Sequence, residues 1–304
     1  MTNIKWLQKG DLLRAIAPSG TLREIANFER GVEIWKSRGY RVELSPGYDD
    51  RWGYLAGSDD NRIQQLAGAL NDPNCRGILC VRGGFGSTRL LEKAQLANPE
   101  KSQLPIVNSH PPKWLIGYSD ITALLWNYEK LGIWGVHGPL LTGVAGEPNW
   151  SIDRLFDCVE GRPLQPLSGQ GWGAGKATGR LFPANLTVAS HLIGTPYQPD
   201  LTGVILALED VSEAPYRVDR MLTQWRMAGV FAGVRGIALG RFSRCQIDEN
   251  IPSFSIQEVL RERLGDLNIP IVSDLPFGHD GVNAALPVGI DATLDAAAGL
   301  LICG

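Results

Sequence analysis

The first half of the chain alternates short apolar runs with amphipathic periods, and that rhythm limits the folds open to it. "LLRAIAPSG" reads as a buried strand over 12–17 closed by a Pro-Ser-Gly turn. Ile25, Phe28, Val32 and Trp35 then recur on one face of a helix. "YRVEL" is the next strand, followed by a helix over 59–70 with Ile63, Leu66 and Leu70 inward and Ser58 as its cap. "GILCV", "KWLIG" and "IWGVHG" are further apolar strands, and Ile121, Leu124, Leu125 and Tyr128 mark the helix behind "KWLIG". Apolar strands separated by helices build a parallel sheet covered on both faces.

The stretch 161–178, "GRPLQPLSGQGWGAGKAT", breaks the rhythm with glycines and prolines and is expected to be a linker. It would separate a domain over 1–160 from a second, smaller α/β domain over 179–304. There "GVILALED", "VRGIALGRF" and "IPIVSDLPFGHD" are strands, and "LTVASHLIG" and "SIQEVLRERLG" are helices. "PYRVDRMLTQWRMAG" is a helix with Pro215 at its start and Val218, Met221, Leu222 and Trp225 inward, and "ATLDAAAGLLI" closes the chain as a hairpin.

Composition excludes several classes of function. A net charge of −3 offers no broad basic field for nucleic acid or an anionic membrane. The five cysteines are scattered with no C-x-x-C pair, so neither a disulfide framework nor a metal site is expected. No run of about 18 apolar residues occurs, and the start "MTNIKWLQKGDLL" lacks the pattern of a secretion signal, so a soluble cytoplasmic protein is expected.

Ser119, in "LIGYSDITALL", stands at the joint between a strand and a helix. It is either a helix cap or a nucleophile held on a turn, where the Asp120 amide and the helix dipole would meet an oxyanion. A nucleophilic serine needs a base and an orienting acid. Of the four histidines, His110 lies in a Pro-rich loop, His191 in an apolar helix, and His137 at a strand end where it lines a site or satisfies backbone. His279, flanked by glycine in "FGHDG", is the best base; Glu209 and Asp210, directly after an apolar strand, supply the acid. "RGGFGS" fails as a dinucleotide fingerprint and is either a tight turn or a second source of oxyanion amides, from Gly84 or a neighbour.

Taken in order, "IAPSG", "RGGFG", "GYSDITALL", "GVHGP", "LALEDVSEAPYRVDRML" and "LPFGHD" resemble the LD-carboxypeptidases, serine peptidases related to the microcin-immunity hydrolases. The resemblance runs from about residue 10 to about residue 302. It implies a Rossmann-like N-terminal domain carrying the nucleophile, a C-terminal domain carrying acid and base, and an active site in the cleft between them. It further implies a triad of Ser119, Glu209 and His279, with an oxyanion hole from the main chain of Gly84 and Asp120. Arg82, Gly83, His137, Asn185 and Arg217 are candidate substrate contacts, with Arg220 a further candidate for a carboxylate. No cofactor or metal is implied, and the partner is a small muropeptide from which a terminal D-alanine is removed during cytoplasmic recycling, by a homodimer. One departure is "FPANL", where family members have Gly-Gly-Asn-Leu; Pro183 and Ala184 would stiffen a turn beside Asn185. The other is a long insert over 97–112. Two rival readings are a microcin-type amide hydrolase, with Trp150 or Trp172 as aromatic clamp, and a non-catalytic binder of a small ligand.

Overall fold

The computed structural model describes residues 4–97, 112–246 and 250–304. The insert therefore falls almost wholly outside the described residues, as does His110. The chain divides into two compact units, Met1–Arg162 and Pro163–Gly304.

In the first unit β1 (Leu12–Ile16), α1 (Ile25–Ser37), β2 (Arg41–Leu44), α2 (Asp59–Asn71), β3 (Cys75–Cys80), α3 (Ser87–Ala97), β4 (Trp114–Gly117), α4 (Thr122–Tyr128), β5 (Trp134–His137) and α5 (Asn149–Glu160) follow one another. Its five strands are parallel and lie in the order β5-β4-β3-β1-β2. The sheet is thus doubly wound and Rossmann-like. Its order reverses between β1 and β3, and a sheet of this kind opens a crevice at the carboxyl ends of those strands. The loops after β1, β3 and β4 rise from that edge.

The helices meet the sheet largely as their periods require. Phe28, Val32 and Trp35 of α1 are buried, whereas Ile25 at its first turn is exposed. In α2 the inward face departs from the expected one: Ile63 is only half-buried, while Arg62 and Gln65 are buried beside Leu66, Ala69 and Leu70. Both polar residues face loops of the site, where backbone groups accept or supply hydrogen bonds. Ser58 caps the helix by accepting from the Asn61 amide.

The second unit contains β6 (Leu167–Ser168), β7 (Gln170–Gly171), β8 (Lys176–Asn185), α6 (Leu186–Ser190), β9 (Val204–Val211), α7 (Pro215–Met227), β10 (Gly236–Ser243), α8 (Ile256–Leu264), β11 (Ile271–Ser273), β12 (Leu286–Val288), β13 (Asp291–Asp295) and β14 (Leu300–Cys303). Eight strands form a mixed sheet in the order β6-β14-β13-β8-β9-β10-β11-β7. The stretch expected as a linker contributes both edges of that sheet. β6 pairs with β14 and β7 with β11, because short glycine-rich segments can pair at an edge without presenting an apolar period. "FPANL" is likewise no turn: Pro183, Ala184 and Asn185 end the long strand β8 and pair with β9. Of the α7 residues expected inward, Val218, Leu222 and Trp225 are buried and Met221 is half-buried.

The core under this sheet gathers Leu181, Ile205, Ala207, Ala238, Val272, Phe277, Leu286, Leu294 and Leu301. Phe277 anchors the loop that carries His279. Gly240 makes room for it, since a Cβ there would lie 2.5 Å from the Phe277 ring.

Candidate active site

The first unit holds the nucleophile candidate. β4 ends at Gly117, Tyr118 is extended, and Ser119 opens a 3-10 turn, Ser119–Ile121, that runs into α4. Ser119 has φ of 63°, the left-handed region that a non-glycine residue adopts only under strain. Tyr118 and Ile121, not Ser119, occupy the N-cap positions of the turn and of α4, and neither makes a side-chain cap hydrogen bond. Gly117 is required beneath it, because a Cβ would lie 2.9 Å from the Ile121 side chain.

The loop after β3 packs directly against this turn. A Cβ on Gly83 would sit 3.1 Å from Ser119 Cβ and 3.2 Å from its Oγ, so only glycine lets the backbone approach so closely. Gly84 follows with φ of 110° and is exposed. Arg82 is half-buried, with Nε 3.3 Å from a Glu24 carboxylate oxygen. His137, at the end of β5, is fully buried with its ring edge-on to Tyr118.

The Asp120 side chain is tied into the loops around the turn. Its carboxylate is buried and Oδ2 accepts from Ser19 Oγ at 2.6 Å and from the Ser87 amide at 2.8 Å. Burial pushes this carboxyl above the usual range, and the hydrogen bonds from Ser19 and Ser87 oppose the rise. The parts played by Ser19, Ser87 and Arg62 are not foreseen from the sequence. Ser19 lies in the quoted "IAPSG" turn, but nothing in a single sequence marks which turn serine faces a carboxylate.

The second unit holds the acid and base candidates. Glu209 lies inside β9, near its end, and is fully buried. Its Oε2 is 2.7 Å from His279 Nδ1, and its Oε1 accepts from Asn185 Nδ2 at 3.2 Å. A buried carboxylate is tolerated only when its oxygens are paired, and both are. Asn185 also reaches Asp210 Oδ1 at 3.2 Å and accepts from the Val188 amide as the cap of α6. It thus ties the two carboxylates to the start of α6.

The loop around His279 is pinned from several sides. Gly278 has φ of 115°, its amide donates to Asn283 Oδ1, and a Cβ there would lie 3.0 Å from Glu209 Cβ. Ser243 Oγ donates to the His279 carbonyl. His279 itself is slightly exposed. Asp210 accepts from the Thr187 amide and hydroxyl, both at 2.8 Å. Burial, and then the charge of Glu209, push the Asp210 carboxyl up to about 6.

Arg217 and Arg220 lie exposed on α7 against the ring of Tyr216, and Arg217 is 3.5 Å from Glu213. With Thr187, Ser190 and His191 they line a groove of about 660 Å³. His191, expected to be packed in a helix, is exposed at that groove because α6 ends at Ser190. Trp172 donates to Ser273 Oγ and lies under Arg261, so it packs within its unit; Trp150 is exposed at the start of α5. Among the described residues no cluster of side chains could hold a metal ion, and no helix is long and apolar enough to cross a membrane.

Comparison with known proteins gives this arrangement a family. The model of the LD-carboxypeptidase N-terminal domain matches residues 13–138, and that of the LD-carboxypeptidase C-terminal domain matches 178–294. A Synechocystis sp. protein that bears a provisional carboxypeptidase name is 55% identical over 295 residues, covering 97% of this chain and 95% of the relative. The murein tetrapeptide carboxypeptidase of Pseudomonas aeruginosa is 30% identical over 274 residues, 84% of each chain. Among solved structures, muramoyltetrapeptide carboxypeptidase from Oxalobacter formigenes superposes with a TM-score of 0.80 at 30% identity, over 96% of this chain and 97% of that one. The microcin C7 self-immunity protein gives 0.81 at 24% identity, over 98% of this chain and 97% of its own, a likeness of fold alone. With both domain models matched in order along most of its length, the chain belongs to the LD-carboxypeptidase family and is a serine-type carboxypeptidase.

Proposed function

We propose that Ser119, His279 and Glu209 act as one triad that cleaves the bond before the terminal D-alanine of murein tetrapeptides. The observation that carries this reading is the pairing of His279 Nδ1 with the buried Glu209 carboxylate. A carboxylate there fixes the tautomer with the proton on Nδ1, leaving Nε2 to take a proton from the serine. Ser119 Oγ then attacks the carbonyl carbon, and the oxyanion accepts hydrogen bonds from the Asp120 and Gly84 amides. His279 passes its proton to the leaving amine, D-alanine departs, and water activated by the same histidine hydrolyses the acyl-enzyme. Arg82 and Arg217 are the candidates to read the free carboxylate. The names of the Pseudomonas and Oxalobacter relatives support the murein peptide as substrate. The reading includes a cytoplasmic recycling role and a homodimer, which cell fractionation and light scattering test.

The decisive experiment incubates the protein with the L-Ala-D-Glu-diaminopimelate-D-Ala tetrapeptide and follows D-alanine by mass spectrometry. Release by wild type and its loss in Ser119→Ala are expected. Near-wild-type release by that variant would remove Ser119 from the mechanism. A parallel arm with a peptidyl-nucleotide separates the microcin-type reading, which predicts cleavage there and none of the tetrapeptide.

A further inference from the structure

We propose that Asp120 is a positioning residue whose carboxylate, with Ser19, Ser87 and Arg62, closes a ring of bonds that holds the Gly83–Gly86 loop in register with Ser119. The inference rests on the reading of Ser119 as nucleophile. Three loops rise from β1, β3 and β4, and residue 120 ties all three. Its Oδ2 accepts from Ser19 Oγ in the first loop and from the Ser87 amide at the end of the second. Its own carbonyl accepts from Ser87 Oγ, so the main chain next to the nucleophile is bound to α3 as well. The ring closes through Gly20, whose amide donates to the Gly83 carbonyl at 3.0 Å.

Arg62 braces the same two loops. It is fully buried, and its Nη1 donates to the carbonyls of Pro18 and Gly86 while Nη2 pairs with Asp59. Its charge and that of Asp120 favour one another. A charged guanidinium taken wholly from water toward two backbone carbonyls is a costly way to hold a fold together, since an apolar side chain would fill the space without desolvating an ion. Its fork fixes the mutual spacing of two loops, which an apolar contact would not. What that spacing governs is the position of the Gly84 amide relative to Ser119, because Gly83 already touches the serine. Displacement of a reacting or stabilising group by about 1 Å costs on the order of 100-fold in rate.

The test compares Asp120→Ala, Asp120→Asn and Ser19→Ala with wild type. Readouts are kcat and KM on the tetrapeptide, the rate of Ser119 labelling by a fluorophosphonate probe, and thermal midpoint. Asp120→Ala should lower kcat and labelling by about 100-fold with KM within about threefold. Asp120→Asn, whose side-chain oxygen can still accept from Ser19 and Ser87, should recover most of that loss. Ser19→Ala, which removes one hydroxyl, should fall between them and keeps the test open if Asp120→Ala does not fold. Unchanged kcat and labelling with only a lowered midpoint would overturn the proposal. Wild type that labels but leaves the tetrapeptide intact would refute the substrate, with the ring still judged by labelling. Wild type that does neither would overturn both.

Discussion

Nδ1 of His279 lies 2.7 Å from Oε2 of Glu209, a carboxylate with no exposure to solvent, inside a strand rather than beyond it. The imidazole is therefore held by a rigid element, and its orientation depends on a carboxylate that water does not reach. Glu209→Gln keeps the shape but lets an amide face Nδ1, which favours the wrong tautomer. We expect kcat to fall by about 10³–10⁴-fold with KM little changed and the far-UV spectrum intact, measured by steady-state kinetics on the tetrapeptide.

Gly278 is the hinge of the same arrangement. With φ of 115°, and with only 3.0 Å between an added Cβ and Glu209 Cβ, alanine there would be both strained and crowded. Gly278→Ala should cost about 1–3 kcal/mol in urea unfolding and should lower kcat at least tenfold by shifting His279 from the carboxylate. Full activity in a destabilised variant would show that the pair does not set the rate.

The left-handed backbone of Ser119 separates two inactive variants. Glycine adopts φ of 63° without strain, whereas alanine keeps it. Ser119→Gly and Ser119→Ala should both lose catalysis, yet the glycine variant should be the more stable by about 1 kcal/mol in chemical denaturation. Equal stability would mean that the elbow stores no strain.

Asp210 makes stability depend on pH in a direction opposite to that of an ion-paired aspartate. Its carboxyl rises from an ordinary 3.8 to about 6 in the fold. Between those values the folded protein keeps a proton that the unfolded chain has lost. This contribution to stability is therefore greatest at low pH, declines as pH rises toward 6, and levels off above. Relative to Asp210→Asn, wild type should lose about 2 kcal/mol between pH 4.5 and pH 7.5, read from urea midpoints at the two pH values. A flat difference would place Asp210 in a less hostile environment.

Much of this protein is legible along the chain. Apolar runs such as "GILCV" and "KWLIG" form β3 and β4, and the period of α1 matches its buried face. These signals are local: a continuous apolar strand between helices has few places to go other than a buried parallel sheet. The glycine-rich stretch over 161–178 reads as a linker because edge strands need only backbone pairing, which leaves no apolar period to detect. "FPANL" is expected as a turn from its likeness to a family motif, yet Pro183, Ala184 and Asn185 pair with β9, a register that only the assembled sheet supplies.

The sequence by itself determined the residue types with catalytic chemistry, the order of the motifs that carry them, and the strand-to-helix joint on which Ser119 stands. Only the tertiary structure decided what those side chains touch. It gave Ser119 a left-handed backbone, made Asn185 a tie between Glu209 and Asp210, and buried Arg62 under two loops. The reason is distance along the chain: Asp120 meets Ser19 across 101 residues and His279 meets Glu209 across 70. Pairings so remote leave no mark in local periodicity and exist only once the sheets have formed.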